Sequence, residues 1–234
     1  MIFVQSDHPP GVVGFIGGEI ARYHSFTMCF TGLNVPAGSK LYSGIGYDSS
    51  YNRNAVIEFA LKHEDVQWVQ LYDDDHVFAP DTLLRLLDTG ADLVVPFYVQ
   101  RQPPFNPCVY REEVASGGYL IFSHVDLEGK DGLLPIVSAG AGGILIRRKV
   151  LEALKSPYFE RQGLIGEDHY FFKKAREAGF QPYCALDVPL GHSTVVEVWP
   201  YRNERGEWCT KVDLKGNPPA LVEYWNKKYE PVAP

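Results

Sequence analysis

The sequence has no CxxC pair, no apolar run long enough to cross a bilayer and no excess of basic charge. Each absence removes a class of function. The four cysteines, Cys29, Cys108, Cys184 and Cys209, lie far apart, so free thiols in a reducing cytosol fit better than a zinc site or a disulfide framework. The N-terminus lacks a basic segment, and Gly17 and Gly18 break up its apolar stretch, so no signal peptide is read there and a cytoplasmic location is expected. With 22 Lys and Arg against 29 Asp and Glu, the net charge is −7. That balance argues against a surface built mainly to grip nucleic-acid phosphates, while leaving room for a local basic patch. The chain also lacks a G-x-x-x-x-G-K-[ST] loop and an H-E-x-x-H helix, which disfavours a P-loop NTPase or a zincin. It shows no internal repeat and no low-complexity tract.

What is present is enough apolar residue for a real core, 45% of 234 residues, the size of one α/β domain with or without a tail. Ile2 to Gln5 reads as a short strand ended by Asp7-His8-Pro9-Pro10. The apolar stretch after it has a helical character that Gly17-Gly18 weakens. Ser39 to Gly44 reads as a second strand, Asn54 to His63 as a helix, and Gln67 to Tyr72 as a third strand. Pro80 suits the first turn of a further helix carrying Leu83, Leu84, Leu86 and Leu87. Asp92 to Phe97 is a buried-type strand. This alternation implies a mostly parallel sheet covered on both faces. Val114 to Leu134 reads as antiparallel strands or loops, and Ile144-Leu145-Ile146 as another buried strand. Glu167 to Ala178 is a helix stopped by Gly179, and Gln181 to Leu186 a late strand. After Glu197 the pattern decays, with a short helix expected near Leu221 to Lys228. The expected division is a catalytic domain over 1–196, with a nucleotide-binding half (1–100) and an acceptor half (101–196), and an extension over 197–234.

The most informative segment is Asp73-Asp74-Asp75-His76, directly behind the apolar run Val69 to Tyr72. Two like charges about 4 Å apart repel by roughly 4 kcal/mol at an effective dielectric near 20. A hard divalent cation held by carboxylate oxygens offsets such repulsion; a solvated loop ahead of a helix is the plainer alternative. In open α/β sheets ligands bind beyond the carboxyl ends of the strands. The triplet has that placement, and so does the Ser6-Asp7-His8 turn, which makes Ser6 and Asp7 candidate donor contacts.

Leu71-Tyr72-Asp73-Asp74-Asp75-His76-Val77-Phe78-Ala79-Pro80 resembles the DxD segment of GT-A glycosyltransferases, in particular family 2-like enzymes. Gly140-Ala141-Gly142-Gly143-Ile144-Leu145-Ile146-Arg147-Arg148 is similar to the family's small-residue turn and strand beside the active site. Gly166-Glu167-Asp168 resembles its ED motif. Asp187 with Gly191-His192 resembles a late segment whose His completes the metal site, and Arg53-Asn54 an Arg-Asn pair that starts an early helix. These motifs follow the family's order over roughly residues 1 to 195, while the first two strands match it poorly.

The resemblance implies a GT-A fold and a metal-dependent transfer of a sugar from a nucleotide-sugar donor, UDP-sugar favoured, to an acceptor hydroxyl. Mn²⁺ or Mg²⁺ would be held by Asp73, Asp75 and His192, and an imidazole ligand suits Mn²⁺ better. Asp73 would also contact the ribose, and Asp74 would brace the loop or the nucleotide. Arg53 and Arg101 are candidates for the diphosphate, because a guanidinium fork matches phosphate oxygens, and Gly142 is placed on the donor side. Asp168 is the candidate base of an inverting reaction, and Glu167 a second catalytic or acceptor-binding carboxylate. Both also fit as ordinary first-turn acids at a helix N-terminus. Trp199 is a candidate acceptor platform. The acceptor itself stays open among a glycan, a lipid-linked sugar, a protein side chain and a hydroxylated DNA base. Alternative readings are another metal-dependent phosphate enzyme (a nucleotidyltransferase or phosphohydrolase), a metal-free glycosidase, and a non-catalytic sugar-binding protein on the same fold.

Overall fold

The computed structural model describes residues 1–17, 24–46, 48–102, 105–114, 120–194, 197–202, 204–206, 208–213 and 221–225. The first half contains strands β1 (Ile2–Val4) and β2 (Val12–Gly17), helix α1 (His24–Gly32), strands β3 (Asn34–Pro36) and β4 (Lys40–Ile45), and helix α2 (Ser49–Leu61). It continues through β5 (Trp68–Asp73), β6 (His76–Val77), α3 (Thr82–Asp88) and β7 (Leu93–Phe97). Then follow β8 (Val109–Val114), β9 (Leu120–His124), β10 (Leu133–Pro135), β11 (Ser138–Ala139), β12 (Leu145–Arg147), α4 (Arg148–Ala153), α5 (Glu167–Glu177), β13 (Tyr183–Pro189) and β14 (Gly191–His192). The last strands are β15 (Glu197–Arg202), β16 (Trp208–Asp213) and β17 (Leu221–Trp225).

The chain divides into two compact units. One comprises Met1–Val99 with Pro107–Ser193, the other Gln100–Asn106 with Thr194–Pro234. The first is built on a seven-stranded sheet in the order β10-β13-β7-β12-β5-β2-β4. Strands β4, β2 and β5 are parallel, β12 runs antiparallel to both β5 and β7, and β13 is parallel to β7. The sheet is therefore mixed but mostly parallel, in an α/β architecture. The second unit contains the antiparallel sheet β15-β16-β17. Residues 221–225 form a strand there, where the sequence pattern suggested a helix; cross-strand pairing from Cys209–Trp225 to Asp213–Leu221 supplies partners that a lone amphipathic segment does not show.

Strict alternation sorts the sheet's side chains onto two faces. Val12, Val69, Leu71, Leu93, Val95 and Ile146 join Val56, Ile57 and Ala60 of α2 and Phe171, Phe172 and Ala175 of α5 in one core. Val13, Trp68, Tyr72, Val94 and Leu145 face Phe26 of α1 and Leu83, Leu86 and Leu87 of α3 in the other. Both faces are dry, which is why these strands read as continuous apolar runs. Asp48 caps α2 by accepting from the Tyr51 N–H at 2.9 Å. Helix α3 begins at Thr82, later than Pro80 suggested, and the Pro80 carbonyl instead accepts from Asn34 N–H at 2.8 Å.

Another sequence expectation is overturned in the first unit. The apolar stretch with glycines is β2, next to β5 in the sheet, and not a helix. Its glycine is a packing requirement, since a Cβ on Gly14 would lie 2.4 Å from Val56 Cγ1. Helix α2 thus rests directly on the β2 backbone, and residues that weaken a strand's propensity are what admit the helix.

Candidate active site

Strands β2 and β5 end side by side, with Ile16 paired to Asp73. Past that point the acidic triplet turns across the sheet edge. The Asp73 N–H donates to Gly142 O at 3.0 Å, the Asp74 N–H to Ile16 O at 3.1 Å, and the Asp75 carbonyl accepts from Ser193 N–H at 2.7 Å. A cavity of about 250 Å³ opens here, lined by Ile16, Gly17, Ser49, Asn52, Asp73, Asp74 and Asp75.

The three aspartates separate in role. Asp73 faces Arg53, whose Nη2 lies 3.0 Å from each of its carboxylate oxygens. The same guanidinium reaches Asp168 Oδ1 at 2.9 Å and Glu167 Oε1 at 3.5 Å through Nη1. Arg53 is 3% exposed, so it is a buried cation clamped by three carboxylates. Burial works against its charge, but Asp168, Asp73 and Glu167 outweigh it and raise its pKa. Arg53 was expected to pair with a diphosphate; the structure commits it to protein carboxylates instead.

Asp168 and Glu167 open α5 and differ in electrostatics. Asp168 also accepts from the Ala141 N–H at 3.2 Å. Burial, with help from Asp73 and Glu167, raises the Asp168 pKa despite Arg53. For Glu167 burial also pulls upward, but the Ser49 hydroxyl at 2.6 Å, Arg53 and Arg161 win, and its pKa is lowered. Two neighbouring carboxylates are therefore pushed apart, one toward basicity and one toward permanent charge, the pattern that separates a proton acceptor from a hydrogen-bonding anchor.

Asp75 belongs to a different cluster, with His76 and His192. Strands β6 and β14 pair antiparallel with His192 opposite His76, and the two rings stack at 4.5 Å and 18°. Potential ligand atoms of Asp75, His76 and His192 lie within 4.8 Å of one another. His192 Nδ1 is 2.9 Å from the Val99 carbonyl, which in the neutral ring places the proton on Nδ1 and leaves Nε2 a lone pair. That Nε2 faces Asp75 Oδ2 at 3.2 Å. His76 is 1% exposed; its Nδ1 lies 3.3 Å from Asp75 Oδ1, and among the described residues neither ring nitrogen makes a hydrogen bond. Burial lowers its pKa, toward the neutral form a metal requires. One carboxylate and two such imidazoles fit a divalent cation. His76 was singled out with the triplet in the sequence but not nominated as a ligand, although its position directly after Asp75 was an available signal. Asp73, nominated there as a ligand, lies with Arg53 and outside this cluster.

The turn Gly140 to Gly143 explains its own composition. A Cβ on Gly142 would lie 2.4 Å from His76 Cε1, and one on Gly140 would lie 2.3 Å from the Tyr98 hydroxyl. The Gly142 N–H donates to that hydroxyl at 3.1 Å. Gly142 thus makes room for the His76 imidazole. Gly142→Ala is expected to cost about 1–3 kcal/mol through overpacking, measured as a lower urea midpoint; an unchanged midpoint would show that His76 can move aside freely.

The remaining sequence candidates lie elsewhere. Ser6 and Asp7 sit at the opposite end of the sheet. They precede Pro10, whose carbonyl accepts from Gln67 N–H at 2.9 Å, at the start of β5. The cause is that β1 pairs with β3 outside the main sheet, so its turn points away from the acidic site. Arg101 and Trp199 belong to the second unit, whereas every residue of the site above belongs to the first. Trp199 is 54% exposed.

A mostly parallel sheet covered on both faces, with an acidic edge beyond its carboxyl ends, is an architecture consistent with GT-A. No protein-family model and no curated protein matches the sequence. Among solved structures, the crystal structure of A197 from STIV aligns with a TM-score of 0.57 at 19% identity, over 85% of this chain and 92% of that one. The structure of GalNAc-T7 with UDP, GalNAc and Mn²⁺ aligns with a TM-score of 0.54 at 10% identity, over 81% of this chain and 45% of that one. At these identities the likeness is one of fold alone. No helix among the described residues is long and apolar enough to cross a membrane.

Proposed function

We propose that the protein is a metal-dependent glycosyltransferase that moves a sugar from a nucleotide-sugar donor, a UDP-sugar by preference, to an acceptor hydroxyl with inversion. The observation that carries this reading is the carboxylate–imidazole cluster Asp75, His76 and His192, beside a cavity at the carboxyl ends of β2 and β5. The crystallised GalNAc-T7 complex, with UDP and Mn²⁺ on a similar fold, supports it. Asp75, His76 and His192 would hold the cation, and two nitrogen donors favour Mn²⁺ over Mg²⁺. When bound, the cation would neutralise charge developing on the departing diphosphate.

Asp73 lines the cavity and contacts the nucleotide's ribose while Arg53 fixes its orientation; Asp74 braces the same loop. Asp168 takes the proton of the acceptor hydroxyl. That oxygen attacks the anomeric carbon as the bond to the diphosphate oxygen breaks, and the bonding pair leaves with the diphosphate. The raised pKa of Asp168 suits this proton transfer. Glu167, held ionised, anchors hydroxyl groups. The reading is tested by thermal shift with UDP and GDP, each with and without Mn²⁺. Ligand at a hundred times its Kd should stabilise the fold by about 2.7 kcal/mol, only with metal, and Asp75→Ala should abolish the metal dependence. No shift with either nucleotide would sink the proposal.

A further inference from the structure

One guanidinium serves two carboxylates that pair with no other cation. Arg53 Nη2 lies 3.0 Å from each oxygen of Asp73, and Nη1 lies 2.9 Å from Asp168 Oδ1. Asp73 lines the cavity of the acidic triplet, and Asp168 stands in the first turn of α5. Glu167, 3.5 Å from Nη1, has partners of its own in the Ser49 hydroxyl and Arg161. Asp73 and Asp168 differ from it. Among the described residues, Arg53 is the one cation paired with either.

The guanidinium is held in one pose. It is 3% exposed, lies over the Phe159 ring at 5.5 Å, and leaves only Nε without a hydrogen bond. A planar fork reaches two carboxylates from its two ends at once, a geometry that an ammonium on a flexible stem does not reproduce. Asp168 meets titratable groups from several elements. Arg53 comes from α2, Asp73 from β5 and Glu167 from α5 itself. Tyr98, just past β7, and Cys108, just before β8, also sense its charge. Burial keeps those two neutral, raising the Tyr98 phenol and pushing the Cys108 thiol up to about 11. Burial also disfavours the charge on Asp168, and Asp73 and Glu167 add to that effect. Of the charged neighbours, Arg53 alone favours the ionised form, with help from the Ala141 N–H at 3.2 Å.

We propose that Arg53 is the positioning residue of the transfer: it keeps Asp168 ionised and aimed as the base, and it ties that charge to Asp73 on the donor side. The inference rests on the glycosyltransferase reading and goes beyond it by giving a cation spent on protein carboxylates a part in proton transfer. Sharing predicts opposite effects for two substitutions. Arg53→Gln removes the cation, so Asp168 holds a proton more tightly. Asp73→Asn removes the competitor for the guanidinium and a neighbouring negative charge, so Asp168 releases its proton more readily.

The test is carbon NMR of the full-length protein labelled at the aspartate carboxyl groups and titrated without substrate. The Asp168 signal is assigned by its loss in Asp168→Asn. Its midpoint should move to higher pH in Arg53→Gln and to lower pH in Asp73→Asn. An unmoved midpoint in Asp73→Asn, or movement of both variants in one direction, would overturn the inference; Asp73→Asn decides alone where Arg53→Gln does not fold. The second readout is kcat against pH at saturating UDP-sugar and Mn²⁺, with an acceptor found by screening. On the acidic limb Arg53→Gln should be about tenfold slower or worse, the factor by which one pH unit changes the ionised fraction of a base, and should recover as pH rises. A loss equal at every pH marks a merely structural arginine and overturns the role. Absence of a UDP–Mn²⁺ thermal shift in the wild-type protein counts against the transferase reading. A retained shift with an unmoved Asp168 midpoint counts against the role of Arg53 alone.

Discussion

Arg53→Leu is expected to destabilise the protein by about 3–5 kcal/mol at pH 7, because removing one member of a buried ion network leaves the others uncompensated. The guanidinium is 3% exposed and holds Asp73 at 3.0 Å and Asp168 at 2.9 Å, with Glu167 at 3.5 Å. Leucine has suitable bulk but no charge, so three carboxylates would face one another in a poorly solvated space. The pH dependence has a definite sign. Without Arg53 the Asp168 pKa, already raised by burial, rises further above its unfolded value. Such groups contribute stability that is present below the unfolded pKa and is lost as pH rises through the folded one. The gap between wild type and Arg53→Leu should therefore be widest near neutral pH and narrow as pH falls through the carboxylate range. Urea unfolding at a series of pH values measures this. A gap under about 1 kcal/mol at pH 7 would mean that the carboxylates find other partners when the guanidinium is gone.

Asp168→Asn should lower the transfer rate by about 10²–10⁴-fold, the span of a lost general base, while the UDP–Mn²⁺ thermal shift stays intact. Asparagine keeps the shape, and its carbonyl can still accept from the Ala141 N–H, which approaches Asp168 Oδ2 at 3.2 Å. It cannot take up the hydroxyl proton. Single-turnover rates with a UDP-sugar and an acceptor found by screening glycans, lipid-linked sugars, peptides and hydroxylated DNA provide the measurement. Full transfer in this variant would remove Asp168 from the role of base. Glu167 would be a poor replacement, because Ser49 and the two arginines hold its carboxyl low against the pull of burial.

The parts of this protein legible in sequence share a local cause. Strand β5, helix α2 and the start of α5 each carry their periodicity within ten or so residues, and the acidic triplet declared itself by its cost. What escaped depended on contacts across the fold. Strand β2 read as a helical stretch weakened by Gly17-Gly18, and the need for Gly14 arises from Val56. Arg53 read as a candidate for the diphosphate, because the carboxylates it pairs with lie 20 and 115 residues away. His76 joined the cluster only through the pairing of β6 with β14, a register that no local pattern encodes. Ser6 and Asp7 were placed by the assumption that the first strand belongs to the main sheet, and β1 pairs elsewhere.

The position of β12 has a consequence for how the chain reaches this state. Strands β5 and β7 do not pair with each other; Leu145–Arg147 lies between them and hydrogen-bonds to both. The β4-β2-β5 group and the β7-β13 group are thus joined by three residues that follow both β5 and β7 in the chain. Until they dock, Trp68–Asp73 and Leu93–Phe97 each present an open, apolar edge, the kind of surface that recruits other chains. Closing that gap requires contacts of long sequence separation and is expected to limit the folding rate. The strand that joins the two groups also carries the Gly140 to Gly143 turn at its head, so the protein acquires its seat for His76 in the same event that closes the seam between β5 and β7.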